Sequence, residues 1–274
     1  MRIATRGSAL ALTQARWVAE QLPGEHELVT VRTSGDRGEG PADKARWVDA
    51  VERALLDGQA DLAVHSAKDV PAELAEGTVL LGSPPREDPR DALLGELRPG
   101  ARVGTSSLRR RAQLLAAHED IEIVELRGNV DTRLRKLADG EVDAAVLALA
   151  GLRRLGRADG AQPLDLIPAA GQGTLAIQAR SGAEELSIAD AEATACLTAE
   201  RALVRVLGAD CHSAVGAHAR TAGTDSPVRL RLVAWVGAPD GSAWVRDELA
   251  GDDPEALGVA VAERLLAAGA RELL

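Results

Sequence analysis

The sequence predicts an α/β fold of two successive units, followed by a smaller α+β unit. Short apolar strands alternate with amphipathic helices over most of the chain, which is typical of α/β proteins. The alternation stops at a Pro-rich, charged segment at 84–91 and then restarts, which indicates a second unit. Near residue 210 the pattern changes to strand-like runs and a final helix. A chain of 274 residues is long enough for two or three domains.

Each element follows from its local pattern. Arg2 to Thr5 is a short apolar strand, and Ser8 can cap the N–H groups of the helix that follows. The first unit continues with a strand at 28–33, a helix at 47–56 and a buried strand at 61–65. The second unit contains a strand at 101–104, a helix at 107–117, a strand at 121–126, a helix at 130–138, a strand at 143–148 and a helix from 151.

A strand at 174–179 follows the second unit and is expected to cross back to the first. The third unit is predicted as a helix over about 190–207, strands at 228–236 and 242–248 joined by a turn at 238–241, and a helix at 254–268. The expected domains are therefore 1–85 with 174–190, then 89–170, then 191–274.

Composition restricts the possible partners. The chain has 42 acidic and 32 basic residues, a net charge of −10, which argues against nucleic acid or an anionic membrane as partner. With 46% hydrophobic and 27% charged residues it is expected to be globular and soluble. It has no apolar run of membrane-spanning length, and its first residues lack the apolar core of a secretion signal. We therefore expect a cytoplasmic protein.

Cysteines and histidines are few. Two cysteines and five histidines form neither a disulfide framework nor a zinc-type spacing, so no metal is predicted. Cys196 lies on a predicted helix, where packing is the expected role. Cys211 lies in a loop of small residues beside His212, where a thiol can be a nucleophile or an attachment point. Without further evidence, an incidental surface thiol is the simpler explanation of Cys211.

Two segments, 104–111 and 126–133, predict anion-binding sites. Each combines small residues and a polar cap at a strand-to-helix junction with arginines. A helix start presents unpaired N–H groups, and arginine offers a planar fork that matches carboxylate or phosphate oxygens. The ligand is therefore expected to be multiply anionic. Arg6 and Ser8 repeat this arrangement, although a capped helix with a solvated arginine is an alternative there.

The segment 65–71 follows a buried strand, so it places His65, Lys68 and Asp69 where α/β folds expose their sites. If the reaction forms a cation, Asp69 is the natural group to stabilise it and to handle protons. Lys68 would then keep Asp69 ionised or bind a ligand carboxylate. An ordinary turn with a solvated Lys–Asp pair fits the pattern about as well.

A set of motifs is recognisable by its order and spacing. It consists of the segments 3–6, 65–71, 86–91, 104–110, 126–130, 150–152, 171–173, 198–201 and the loop around Cys211. Over nearly the whole chain this set resembles the porphobilinogen deaminase family, also called hydroxymethylbilane synthases.

The resemblance implies two domains like those of periplasmic binding proteins, with the active cleft between them, and a third α+β domain carrying the cysteine. It implies a monomeric transferase of porphyrin and haem biosynthesis. Such an enzyme joins four porphobilinogen molecules head to tail, releases ammonia and yields the linear tetrapyrrole hydroxymethylbilane. The chain grows on a dipyrromethane cofactor, held by a thioether to the cysteine that matches Cys211.

The resemblance also implies roles for individual residues. Asp69 is the implied catalytic residue, which would stabilise positively charged intermediates. The implied cofactor-binding residues are Cys211, Lys68, Asp69, Thr105, Ser106, Ser107, Arg109, Arg110, Arg127, Gly128 and Asn129. The implied substrate-binding residues are Arg6, Ser8, Arg133, Arg154 and Gln172.

Two segments depart from the family pattern. The segment 43–52 is shorter than the family's lid and lacks its glycines, and Trp47 either replaces the lid's aromatic residue or packs in the core. Around Cys211, in 208–216, a glycine and a proline of the pattern are missing. A non-catalytic relative that binds a polycarboxylate in the same cleft is therefore the alternative function.

Overall fold

A computed structural model describes residues 1–37, 45–184, 186–210, 212–222 and 229–274. Its strands are β1 (Arg2–Arg6), β2 (Glu27–Val31), β3 (Leu62–Ser66), β4 (Thr78–Leu80), β5 (Asp91–Gly95), β6 (Arg102–Gly104), β7 (Glu122–Val124), β8 (Ala144–Ala148), β9 (Gln162–Leu164), β10 (Leu175–Arg180), β11 (Val215–Thr221), β12 (Leu230–Gly237) and β13 (Trp244–Gly251). Its α-helices are α1 (Ala9–Gln21), α2 (Ser34–Arg37), α3 (Asp49–Leu56), α4 (Leu108–Ala117), α5 (Val130–Ala138), α6 (Leu149–Arg154), α7 (Ala191–Leu207) and α8 (Pro254–Ala267). Short 3-10 turns occupy Ala45–Trp47, Ala67–Asp69 and Ala270–Glu272.

The strands form three sheets. The first has the order β2-β1-β3-β10-β4, with β1 parallel to β2 and β3, and β10 antiparallel to its neighbours. The second has the order β7-β6-β8-β5-β9, with β6 parallel to β7 and β8. The third is the antiparallel sheet β11-β12-β13. The predicted fold class, two α/β units and a smaller α+β unit, is confirmed.

The first two sheets are covered by helices that bury the strands' apolar side chains. In the first sheet Ile3 and Ile177 pack with Val18 of α1. In the second sheet Val103 and Val146 pack with Leu114 of α4. Parallel strands that are covered in this way leave their carboxyl ends as the open edge, where α/β proteins place their ligands.

The third sheet buries one face against two helices. Leu203 of α7 and Val261 of α8 pack on Leu232 of β12, and all three are fully buried. The outer strand β13 alternates between exposed and half-buried residues, which is the pattern of an antiparallel sheet with one solvated face.

Two chain segments join the first two sheets, one at 81–90 and one at 165–174, and they lie side by side. The backbone N–H of Glu87 donates to the carbonyl of Gly173 at 3.2 Å. Gly173 has φ +87°, and a Cβ there would collide with the carbonyl oxygen of Glu87. The close approach of the two segments therefore requires glycine at this position.

Several elements differ from the sequence-based prediction. The helix predicted at 47–56 begins only at Asp49, after a 3-10 turn. The pattern missed β4, β5, β9 and β11. Two of these, β4 and β9, have only three residues, too few to show a period. Strand β5 directly follows the Pro-rich segment, and β11 mixes small and polar residues, so neither has an alternating apolar pattern. None of the described helices is long and apolar enough to cross a membrane.

Candidate active site

The candidate site lies at the carboxyl ends of β1 and β3. Arg6 is the last residue of β1, and Ser8 caps α1 by accepting a hydrogen bond from the N–H of Ala11 at 3.3 Å. Lys68 and Asp69 lie in the 3-10 turn that follows β3. A pocket of about 60 Å³ opens here, lined by Arg6, Ser8, Leu10, Ala11, Gln14, Trp47, Val48, Val64, His65, Ser66 and Asp69.

Asp69 is the acid of this pocket. Its side chain is half-buried, and it has neither a hydrogen-bond donor nor an ion-pair partner among the residues that the structure describes. Buried or half-buried carboxylates normally find such partners, because an unpaired charge away from water is costly. The carboxylate of Asp69 is therefore free to interact with a ligand.

His65, next to Asp69 in the pocket wall, is neutral. Its Nε2 lies 3.0 Å from Oε1 of Gln178, and Nε2 of Gln178 donates to Glu52 and Thr78. Burial lowers the pKa of His65 to about 4, against the opposing effects of Gln178 and Asp69. An uncharged, firmly hydrogen-bonded ring supports the pocket but supplies no proton at neutral pH.

Lys68 contacts the second of the two segments that join the first two sheets, 165–174, which we call the return segment. Its Nζ donates to Oε1 of Gln172 at 3.3 Å. Burial and then the charge of Arg110 lower the pKa of Lys68 to about 8, whereas Asp69 and Asp91 raise it. Lys68 is therefore a cation at neutral pH, but one that loses its proton only slightly above that pH.

Arg109 and Arg110 share a carboxylate that the sequence analysis did not identify. Nη1 of Arg109 donates to Oδ2 of Asp91 at 2.7 Å, and Nε of Arg110 donates to Oδ1 at 2.9 Å. All three side chains are buried. Burial alone would raise the pKa of Asp91, but the two guanidinium groups outweigh burial and hold it well below its usual range. The cluster carries one excess positive charge.

Gln172 completes this cluster from the return segment. It is buried, and its Nε2 donates to Oδ1 of Asp91 at 2.8 Å and to the carbonyl of Pro89 at 2.7 Å. Because its Oε1 accepts from Lys68, one amide joins the two sheets. The structure thus gives Gln172 a bridging position between the two halves of the cleft.

The predicted anion segments of the second sheet are joined by Arg133. Its Nη2 donates to Oγ of Ser106 at 3.1 Å and its Nε donates to the carbonyl of Gly128 at 2.8 Å. Burial, followed by Arg110, lowers the pKa of Arg133 to about 10, and Asp69 opposes this shift. Arg133 is therefore within electrostatic range of Asp69, and it has no carboxylate within ion-pair distance among the described residues.

The hydroxyl groups beside Arg133 mainly shape the start of α4. Ser107 is the N-cap and accepts from the N–H of Arg110 at 3.4 Å, and Oγ1 of Thr105 accepts from the N–H of Ser107 at 3.2 Å. Thr105 is buried, whereas Ser106 is exposed. Ser106 is thus the hydroxyl of this segment that solvent or a ligand can reach.

The segment 127–129 is exposed. Nε of Arg127 donates to Oε1 of Glu125 at 2.7 Å, and both side chains are largely in solvent. Asn129 caps α5 by accepting from the N–H of Thr132 at 2.9 Å. Gly128 has φ +117°, and a Cβ there would collide with Thr132. This segment is therefore open to solvent.

Arg154, at the end of α6, points its guanidinium group to the return segment. Its Nη2 donates to the carbonyl of Gly173 at 2.7 Å, and burial lowers its pKa. Like Arg133, Arg154 is half-buried and lacks an ion-pair partner within the described part of the chain. Arg133 and Arg154 are thus cations without a carboxylate partner among the described residues.

Cys211, the predicted attachment point, lies outside the described residues. The strand that follows it in the chain, β11, contacts the return segment, because the N–H of Ala217 donates to the carbonyl of Pro168 at 2.8 Å. The adjacent carbonyl of Ile167 accepts from Arg109 at 2.7 Å. Cys196 is buried within the core of the third unit, and burial raises the pKa of its thiol to about 12. Residues 43 and 44 of the altered lid segment 43–52 also lie outside the described residues.

Sequence reasoning missed three acids near the site. Asp36 pairs with Arg6, Asp91 pairs with Arg109 and Arg110, and Glu200 pairs with Arg86 at 2.6 Å. Asp36 occurs in a Gly-rich acidic stretch, and Asp91 ends the charged segment 84–91, so neither lies in a pattern that indicates an ion pair. The excess of arginine in one cleft was the available signal, since buried arginines need carboxylate partners.

The fold and the site define a class of protein: an α/β protein in which cations from two sheets lie near Asp69, an acid with no partner among the described residues. Comparisons with known proteins identify the family. A family model for "porphobilinogen deaminase, dipyromethane cofactor binding domain" matches residues 1–188, and one for the "porphobilinogen deaminase, C-terminal domain" matches residues 194–267.

Similar full-length proteins agree with these matches. A porphobilinogen deaminase of Brevibacillus brevis is 43% identical over 100% of this chain and 96% of its own length. One of Thermus thermophilus is 44% identical over 99% of this chain and 97% of its own length. Among solved structures, the methionine-binding protein MetQ shows 16% identity and a TM-score of 0.41 over 66% of this chain and 83% of its own.

The chain belongs to the porphobilinogen deaminase family. It is therefore a transferase of tetrapyrrole biosynthesis, and the cofactor of its first two units is a dipyrromethane. No observation favours the alternative of a non-catalytic polycarboxylate-binding relative.

Proposed function

We propose that the cleft between the first two sheets is where this chain condenses four porphobilinogen molecules head to tail into hydroxymethylbilane, with Asp69 as the catalytic residue. The observation that carries the proposal is the half-buried carboxylate of Asp69, which has no partner among the described residues and lies near Lys68 and Arg133. An acid in such a place is suited to a reaction that passes through a positive charge.

The chemistry makes a specific demand on that acid. As each unit is added, the C–N bond of its aminomethyl group breaks, ammonia leaves with the electron pair, and the methylene carbon becomes cationic. A new C–C bond then forms to a pyrrole carbon, which afterwards loses its proton. Asp69 stabilises the cation and accepts or relays that proton. His65 is neutral at pH 7 and keeps the pocket wall in place.

The remaining cations bind the substrate's acidic groups, because every pyrrole carries an acetate and a propionate. Arg6 and Ser8 hold the incoming ring at the first sheet, and Arg133 and Arg154 offer guanidinium groups without a carboxylate of their own among the described residues. Arg127, Gly128 and Asn129 form the rim of the cleft. A charge-assisted hydrogen bond of this kind contributes about 1.5–3 kcal/mol.

The dipyrromethane cofactor supplies the primer to which units are added. The donors present fit such a group, because Lys68 and Ser106 can reach carboxylates and the Asp91 cluster leaves an excess positive charge. The Nε of Arg109 is buried without a hydrogen-bond partner in the described residues, so it has a donor to offer. Thr105 and Ser107 shape this wall, and we propose a thioether to Cys211 as the covalent attachment.

We further propose that the three domains divide at 1–85 with 174–190, 89–170 and 191–274, and that the protein acts as a cytoplasmic monomer without nucleic acid. Its net charge of −10 supports the last point. Size-exclusion chromatography with light scattering tests the monomer: a mass near 28.6 kDa supports it, and a dimer mass contradicts it.

The experiment that tests the function has two readouts. Purified protein from cells that make porphobilinogen should release ammonia and form hydroxymethylbilane when given porphobilinogen. Its mass under denaturing conditions should exceed the mass of the polypeptide by one dipyrromethane. Cys211→Ser should lose this extra mass, whereas Cys196→Ala should keep it, because the Cys196 thiol is buried and has a raised pKa. An unmodified wild-type mass without product formation would contradict the proposal.

A further inference from the structure

The guanidinium group of Arg6 pairs with Asp36, an acid that does not line the pocket. Its Nη2 lies 2.5 Å from Oδ1 of Asp36, and its Nε lies 3.2 Å from both Asp36 oxygens. Arg6 lines the pocket with Asp69, whereas Asp36 is not among the lining residues. The acid thus engages the Nε and Nη2 edge of the fork.

Asp36 is itself fixed in place. Its Oδ2 accepts from the N–H of Thr33 at 3.1 Å and from Oγ1 of Thr33 at 2.8 Å, at the start of the short helix α2. Burial alone would raise the pKa of Asp36, but the hydrogen bonds from Arg6 and Thr33 outweigh burial and lower it. An acid that is held on both sides presents its oxygens at a defined position.

Trp47 holds the flat face of the same guanidinium group. The central carbon of Arg6 lies 4.4 Å from the centre of the Trp47 ring, within the range of a cation–π contact. The loop that carries Asp36 packs closely on this ring, because a Cβ on Gly35 would overlap the ring atoms. Asp36 and Trp47 therefore restrict the fork in two directions, along its edge and across its plane.

One nitrogen of the fork has no partner among the described residues. Nη1 of Arg6 donates to no atom of the residues that the structure describes, although Arg6 is only half-exposed. Asp36 occupies the opposite edge, so the free N–H groups of Nη1 are on the side of the fork that Asp36 leaves open. A carboxylate that enters the pocket finds a donor whose orientation is already determined.

We infer that Asp36 is a positioning residue for substrate binding: with Trp47 it fixes the Arg6 guanidinium so that Nη1 receives a carboxylate of the incoming pyrrole beside Asp69. The inference rests on the proposed function, because it requires Arg6 to bind substrate. Preorganisation of this kind improves affinity, since less side-chain freedom is lost on binding. Asp36 contacts no reacting atom and acts only through Arg6.

Steady-state kinetics of Asp36→Asn tests this inference. The amide keeps an oxygen for one donor but loses the charge and the two-oxygen contact, so we expect KM for porphobilinogen to rise about tenfold with kcat changed much less. Asp36→Glu, which keeps the charge, should restore part of the lost affinity. Asp61→Asn is the matched control, because Asp61 pairs with Arg2 at the other end of β1, at 3.4 Å.

A double-mutant cycle separates positioning from a general structural role. In an Arg6→Gln background, Asp36→Asn should raise KM no further, because the group that it positions is gone. Additive effects would overturn the inference, since Asp36 would then act independently of Arg6. An unchanged KM would also overturn it. A lower KM would do so as well, because Asp36 would then be a competitor for the substrate's place.

The same experiment distinguishes this inference from the proposed function. A wild-type protein and an Asp61→Asn variant that form no product contradict the proposed function. Active proteins in which only the Asp36 and Arg6 effects fail to couple contradict the inference alone. Thermal unfolding curves of all variants should show that each one is folded at the assay temperature.

Discussion

Replacing Glu200 by Gln should destabilise the junction of the three units. Glu200 lies on α7 and is fully buried, and its two oxygens accept from Arg86, from the N–H of Gly171 at 2.6 Å and from the N–H of Ala219 at 2.7 Å. Burial alone would raise the pKa of Glu200, but Arg86 and His218 outweigh it and lower the pKa. One carboxylate thus joins the segment between the first two sheets, the return segment and β11.

The magnitude follows from the number of donors. The amide of a glutamine has only one accepting oxygen, so at least one of the three donors would face the NH2 group of the new side chain. The charge of Arg86 would also lose its buried partner. Breaking a buried ion pair in this way costs about 3–5 kcal/mol of unfolding free energy. If the free energy of unfolding falls by about 3 kcal/mol per molar urea, this loss lowers the urea concentration at the unfolding midpoint by roughly 1 M or more.

Urea unfolding followed by circular dichroism measures this loss. Glu248→Gln is the matched control, because its pair with Arg231 at 2.9 Å is partly exposed on the third sheet. Such a pair contributes at most about 1 kcal/mol, so the control should shift the midpoint little. A Glu200→Gln variant with the same urea midpoint as the control would show that this carboxylate does not stabilise the junction.

Three further predictions follow. Gly173→Ala should lower the thermal midpoint and the activity together, because φ is +87° and the added Cβ meets Glu87; unchanged melting would contradict the close contact. In the wild type, kcat/KM should fall as pH rises through about 8, since Lys68 loses its charge there, and Lys68→Arg should remove this fall; a persisting fall would assign it to another group. Arg133→Gln removes a half-buried guanidinium group without a carboxylate partner in the described structure, so it should raise KM about tenfold or more. Arg127→Gln changes an exposed ion pair and should raise KM less. The reverse order would contradict the cleft geometry.

The sequence predicted those parts of the fold whose signals are local. The helix cap at Ser8 and the strand at 61–65 follow from side-chain chemistry and apolar pattern, and both lie close to where they were predicted. Strand β5 was not predictable in this way, because its place between β8 and β9 depends on antiparallel partners far along the chain. Its first residue, Asp91, was missed for the same reason.

The site was predicted in its charges but not in its pairing. The motifs identified Arg6, Arg109, Arg110 and Asp69, yet they could not show which arginines already have a carboxylate. In the structure Arg109 and Arg110 both pair with Asp91, whereas Asp69 has no partner among the described residues. Such pairing depends on the distance between segments that are separated in sequence. Pattern and spacing carry no information about that distance.

Turnover of Asp69→Asn with the cofactor in place shows whether the Asp69 carboxylate performs the chemistry. Asparagine has nearly the same shape as aspartate but neither its charge nor its basicity. We expect the variant to keep the wild-type fold and the mass of one attached dipyrromethane. Its kcat for hydroxymethylbilane formation should fall by about 100-fold or more. A variant with the cofactor attached and kcat close to that of the wild type would contradict the claim that the Asp69 carboxylate performs the chemistry.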